Sequence, residues 1–319
     1  MVRYILKRIM YSIITLWVLI TLTFFMMRLL PGDPFLGEKA VTPAVKAALS
    51  AKYGLDKPVL VQYGKYLGNI VSGDLGTSIH YNRPINKIIA ESFPYSFDLG
   101  MRALIFAVIA GVFLGILAAR KRGTKWDTAA MVIAVIGVSV PSFIVGALLQ
   151  YGLSLKLNQL IWLFAPGVQL FPVAGWKTEM HKILPAFALG LASLATISRL
   201  MRTSMLDVLG QDYIKTAKAK GLNEKSIIRK HAVRNAIMPV ITVLGPISAA
   251  VLTGAFVVES IFNIPGMGRF FVLSIDVKDY TMIAGTTLFY GAFLIIANLL
   301  VDLVYGLIDP RVKLEKEEA

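Results

Sequence analysis

Residues 213–239 read YIKTAKAKGLNEKSIIRKHAVRNAIMP, a densely basic stretch held between two long apolar runs. Ala217, Ala219 and Gly221 give a small-residue helix that the glycine can stop, because glycine enters the left-handed region without steric cost. Asn223 can then open a second helix by offering its side-chain oxygen to the free N–H groups of the next turn. The expected product is a helix-turn-helix exposed on one face of a membrane.

The membrane follows from composition. With 56% hydrophobic and 16% charged residues and a mean hydropathy of +0.67, the 319-residue chain has too little polar surface to coat a soluble globule of its size. Six uncharged runs, at about 9–27, 103–119, 128–153, 183–198, 237–258 and 281–301, lie near the roughly 20 residues that cross a hydrocarbon core as helix. The first is too long for a signal-peptide core and runs into Arg28 with no small-residue cleavage site, so it is expected to be retained. The predicted class is all-α, a single polytopic domain over 1–319 with six transmembrane helices.

Cations set the orientation. Arg3, Lys7 and Arg8 precede the first run, Arg120, Lys121, Arg122 and Lys125 follow the second, and nine Lys and Arg from Arg199 to Arg234 follow the fourth. Cation-rich alternate loops place those loops and both termini in the cytoplasm, N-in and C-in, and leave 31–97, 154–182 and 259–280 outside. The net charge of +14 is thereby accounted for at the membrane. A DNA-binding face is the rival reading of 213–239, but the stretch lacks interleaved aromatics and no separate soluble domain carries it. The chain has no cysteine, which excludes disulfide and thiolate chemistry.

Two helices are expected in 31–97. One starts at Thr42-Pro43 and ends near Gly54, and an amphipathic one over 58–70 carries Leu60, Leu67 and Ile70. Together they read as a packed cap over the outer spans or a contact for a soluble partner. Residues 160–164, with Trp162, are too short to cross and read as interfacial.

The basic stretch resembles the coupling loop of permease subunits of ATP-binding-cassette importers, in the form of the peptide and nickel branch. The matching residues are Thr216, Ala217, Lys218, Ala219, Lys220, Gly221, Leu222, His231, Ala232, Arg234, Asn235, Ala236 and Pro239. Lys215 and Arg234 depart from the wider importer consensus in the way that branch does. Similar matches are Tyr4 to Arg8, Leu29 to Pro34, Tyr53 to Pro58, Phe171 to Trp176, Ile261 to Gly268 and Asp309 to Arg311, in order along the chain and similar to the first permease subunit of oligopeptide importers. The segment 158–169 is longer than the branch's usual outer loop.

The resemblance implies a type I importer permease fold and oligopeptide import. It implies a second homologous permease, two cytoplasmic ATPases that carry ATP and Mg, an extracytoplasmic peptide-binding lipoprotein, and a path bordered by membrane lipid. It assigns ATPase coupling to the 199–236 loop, through Asp212, Tyr213, Thr216, Ala217, Ala219, Lys220, Gly221, Leu222, His231, Arg234 and Asn235. Asn263, Pro265, Gly266 and Met267, in a turn-rich tip between the last two spans, become candidates for contact with the binding protein.

Several chemistries are missing. No phosphate-binding G-x-x-x-x-G-K-[ST] occurs, so no ATPase and no catalytic residue are expected in this chain. No Asp, Glu, Lys or Arg sits near the middle of a run, which disfavours the runner-up class, an ion-coupled secondary transporter. His80, His181 and His231 all lie outside the runs, so neither intramembrane hydrolysis nor a metal site is expected. Substrate alternatives are dipeptides and nickel. Asp98 and Arg102, four apart, and Asp302 read as interfacial anchors or helix-to-helix pairs. Gly111 and Gly115 form a G-x-x-x-G face. Pro141, Pro239, Gly245, Pro246 and Gly254 are candidate hinges along the path, with static packing the alternative.

Overall fold

The computed structural model describes residues 2–29, 56–253 and 255–308, and among them it contains helices and turns with no strand beyond the isolated bridge Thr77 to Pro84. In chain order the elements are α1 (Val2–Leu29), α2 (Val59–Val71), α3 (Ile85–Arg120), α4 (Lys125–Ser139), α5 (Ser142–Leu149), a π-helical segment (Gln150–Leu157) and α6 (Asn158–Phe164). Then come α7 (Glu179–Leu209), α8 (Asp212–Ala219), α9 (Glu224–Ser226), a second π segment (Ile227–Ala232), α10 (Val233–Ala236), α11 (Met238–Thr253), α12 (Phe256–Ile261), α13 (Met267–Asp276) and α14 (Tyr280–Ile308). The expected helix ending near Gly54 lies outside the described residues.

Among the described residues, four helices are long and apolar enough to cross a membrane: Leu6–Leu29, Ile85–Arg120, Glu179–Leu209 and Tyr280–Leu300. Two bent pairs, Lys125–Ser139 with Ser142–Phe164 at 108° and Glu224–Ala236 with Met238–Leu252 at 50°, bring the total to six if each is one span. The third run, expected as one span over 128–153 with Pro141 a candidate hinge, is thus sharply broken at that proline. Pro141 has no N–H to continue α4, and it opens α5 instead.

The chain divides into two compact units, Met1–Pro94 with Gly266–Leu299 and Tyr95–Pro265 with Leu300–Ala319. In the first unit, α2 lies on the end of α1: Tyr63 shares a 2.7 Å hydrogen bond with Thr21, Tyr66 stacks on Phe24 at 5.4 Å, and Arg28 covers the Phe24 ring at 3.6 Å while bonding Gln62. Burial pushes the Tyr66 phenol up to about 12 against the pull of Arg28, so it stays neutral and the contact is not a pH switch. Buried Asp279 caps α14 by accepting from Met282 N–H and holds the 78–80 turn by accepting from Ser78 Oγ and His80 N–H, at 2.5–3.0 Å.

The second unit is built on α7. Its neighbour α3 approaches through the G-x-x-x-G face, where an added Cβ would lie 2.9 Å from Ile197 Cβ at Gly111 and 2.6 Å from Met201 Cβ at Gly115. The favour is returned by Gly190 of α7, whose Cβ would lie 2.6 Å from the Ala103 carbonyl oxygen. Helix α4 uses the same device along Ala130, Ala134 and Gly137. Close helix approach by small residues is how apolar helices associate where lipid removes the hydrophobic drive.

Helix limits differ from expectation at two further places. Residues 199–209, expected as loop, continue α7 because nothing breaks the helix before Gly210. The helix that carries the second run begins at Ile85, well ahead of Ala103, with Pro94 inside it.

Candidate coupling site

Helix α8 is short, and its anchoring is simple. Ile214 and Ala217, three apart and so on one face, are buried in a cluster with Ile197, Met201 and Met205 of α7 and with Ile227, Ala232 and Ala236 that follow. The rest of α8, including Asp212, Tyr213, Thr216, Ala219 and the C-cap Lys220, is exposed. Burying a full isoleucine contributes about 2–3 kcal/mol, enough to root a helix that lacks a side-chain cap at Gln211.

Gly221 ends α8 at φ +77°. Its N–H bonds the Lys218 carbonyl at 2.9 Å and the Leu222 N–H bonds the Ala217 carbonyl at 3.3 Å, the paired pattern of a left-handed helix stop. Asn223 Oδ1 accepts from the Ser226 N–H at 2.8 Å and starts the next helix. The helix-turn-helix expected from the sequence is present. Asn235 ties its two arms by donating from Nδ2 to the Tyr213 hydroxyl at 2.8 Å and to the His231 carbonyl at 3.1 Å. His231 is half-buried, while Arg234, Leu222 and Tyr213 are exposed.

Two ion pairs escaped the sequence reading. Asp127 on α4 is 6% exposed and accepts from Arg202 Nε at 2.6 Å, Arg202 Nη2 at 2.8 Å and the Gly123 N–H at 3.0 Å. Arg120 at the end of α3 reaches Glu224 at 3.3 Å. The 120–127 loop is thus tied to the helix leading into α8 and to the helix leaving Gly221. The available signal was Asp127 itself, the one carboxylate beside four cations.

At the other end of α3 and α7, Arg102 bonds Asp98 at 2.7 Å and Glu179 at 2.6 Å, and Lys182 bonds Glu179 at 2.9 Å. Asp98 and Arg102 therefore join neighbouring helices. Of the tip residues, Asn263 is exposed at φ +48° and Pro265 is half-buried, whereas Gly266 and Met267 are buried. The 259–280 segment is less turn-rich than expected, since α12 and α13 occupy most of it. Among the hinge candidates, Pro141, Pro239 and Pro246 are exposed, Gly245 is buried and Gly254 lies outside the described residues. Among the described residues no group of three His, Asp or Glu is placed to hold a metal ion.

Comparison with known proteins fits this arrangement. Residues 111–314 match the family described as binding-protein-dependent transport system inner membrane component, and residues 1–100 match its N-terminal companion. The chain belongs to this family. It is a multi-pass inner-membrane transport component and not an enzyme. It is 49% identical over 318 residues to the dipeptide transport system permease protein DppB of Bacillus subtilis, covering 99% of this chain and all of that one. It is 42% identical over 316 residues to the oligopeptide transport system permease protein OppB of Haemophilus influenzae, covering 98% of this chain and all of that one. An inward-facing structure of the MetNI methionine ABC transporter shares the fold at TM-score 0.50 and 14% identity, over 69% of this chain and 94% of that one.

Proposed function

We propose that this chain is one permease subunit of an ATP-driven peptide importer, a single transmembrane domain of six spans with both termini in the cytoplasm. The observation that carries the proposal is α8: an exposed helix stopped at Gly221 and rooted through Ile214 and Ala217 in a core shared with α7, the most buried of the four long helices described. Such a helix can transmit a push from a soluble ATPase into the membrane. The chain has no phosphate-binding loop of its own, so ATP and Mg belong to two partner ATPases. A second permease completes the path, and an extracytoplasmic peptide-binding lipoprotein delivers the substrate.

Oligopeptides are the substrate inferred from the sequence motifs, and dipeptides are a second reading favoured by the 49% identity to a dipeptide permease. Nickel is the weakest of the three, because bare nickel favours imidazole ligands and no histidine lies in a span. The test is ATP hydrolysis by the complex reconstituted with the products of the neighbouring genes, with dipeptides, with longer peptides and with free nickel. Stimulation by peptides and indifference to nickel supports the proposal; stimulation by nickel alone refutes it.

A further inference from the structure

The 120–127 loop holds more charge than its ion pairs use. Arg120 is spent on Glu224 and Asp127 on Arg202, which leaves Lys121, Arg122 and Lys125 exposed and, among the described residues, outside ion-pair distance of any carboxylate. Next to them Trp126 is 65% exposed. A bare indole beside three cations in no direct ion pair is unusual on a surface facing water alone. Helix α4 then continues with exposed Val132, Ile133, Val135, Ile136 and Val138, and only the stripe Asp127, Ala130, Ala134 and Gly137 is buried. Reading along the helix, the surface passes from cationic through amphipathic aromatic to apolar within a few turns. That gradient matches a bilayer from headgroup to acyl chain, where tryptophan settles at the boundary.

We propose that Lys121, Arg122, Lys125 and Trp126 form a binding site for anionic phospholipid headgroups, with the acyl chains lying along the exposed face of α4. The phosphate diester and its negative surface potential meet the three cations, and the glycerol and upper acyl region meet the indole. A zwitterionic lipid offers no net charge to this site. Because the site lies beside the Asp127–Arg202 pair, a bound anionic lipid shields the loop's mutual repulsion at the point where α4 is fastened to α7.

The test reads Trp126 directly and needs no transport. The complete transporter is placed in nanodiscs of phosphatidylcholine doped with brominated phosphatidylglycerol or brominated phosphatidylcholine, and the fluorescence of other tryptophans is removed by subtracting a Trp126→Phe variant. Brominated phosphatidylglycerol should quench Trp126 at lower mole fraction than brominated phosphatidylcholine. Each of Lys121→Gln, Arg122→Gln and Lys125→Gln should reduce that preference by roughly fivefold, and the triple variant should abolish it. Equal quenching by the two lipids in the unaltered chain overturns the site. So does quenching by neither, which would place a protein partner over Trp126, and so does displacement of the brominated phosphatidylglycerol by millimolar-range glycerol phosphate, which would make it a site for soluble phosphate.

Discussion

Asp127 receives both N–H groups of one edge of the Arg202 guanidinium, at 2.6 and 2.8 Å, while the Gly123 backbone supplies a third donor at 3.0 Å. A carboxylate this buried is tolerable only because every approach to it is a donor. Removing one partner leaves an uncompensated charge and costs about 3–5 kcal/mol. Asp127→Asn should therefore lower the unfolding temperature of the purified complex and raise the ATP consumed per substrate moved, because α7 leads directly into α8. The exchange Asp127→Arg with Arg202→Asp should recover part of both. A double variant no better than either single one would show that the pair does not act as a pair.

Gly221 makes a separable test of the coupling helix. Nothing lies within 4 Å of a Cβ built there, so any substitution acts through its positive φ and not through a clash. A β-branched residue in that region costs on the order of 1–3 kcal/mol locally. Gly221→Val should insert in the membrane normally but lose substrate-stimulated ATP hydrolysis, while Gly221→Asn, which tolerates the left-handed region, should retain most of it. Normal coupling in Gly221→Val would sink the assigned role of the α8 turn.

Gly115 is the contrary case, a helical glycine kept for space. Its missing Cβ would stand 2.6 Å from Met201 Cβ and 2.7 Å from the Ser198 carbonyl oxygen. Gly115→Ala must push α3 and α7 apart, a cost of about 1–3 kcal/mol, and Gly115→Leu should prevent stable expression. Thermal unfolding in detergent should therefore drop more for Gly115→Ala than for Gly221→Ala. Equal shifts would mean that the close approach of α3 to α7 contributes nothing.

These residues also mark what the sequence could and could not convey. The turn at Gly221, the cap at Asn223 and the small-residue face of α3 are local devices, each written in adjacent or helically spaced letters, and each was legible. The Asp127–Arg202 pair joins residues whose relation depends on how α4 lies along α7, so only the stray acid hinted at it. The break at Pro141 was visible as a proline, but the 108° bend depends on what α5 packs against, including Phe262 near Gly146. The burial of Met267 follows from α13 starting where a loop was expected, since Gly266 extends the backbone just ahead of that helix.

Orientation is open to direct measurement because the chain has no cysteine. Ser72 and Lys121 are both exposed, so a cysteine at either position is reachable by a maleimide. With the cation-rich loops inside, an impermeant maleimide added to intact cells should label Ser72→Cys and spare Lys121→Cys until the membrane is opened. The reverse pattern would invert the proposed topology.

The proposed contact with the binding protein is best probed from Asn263. Its side chain is exposed at a left-handed turn, φ +48°, whereas Met267 is 1% exposed at the start of α13. If the tip reaches the substrate-loaded binding protein, a crosslinker on Asn263→Cys should capture it in at least one nucleotide state. Met267→Cys should give little product in any state, because a buried thiol cannot present itself without unfolding the first turn of α13. Efficient capture from Met267→Cys would mean that this turn rearranges during transport. Absence of capture from Asn263→Cys in every nucleotide state would remove the tip from the docking surface and leave it as a connection between α12 and α13.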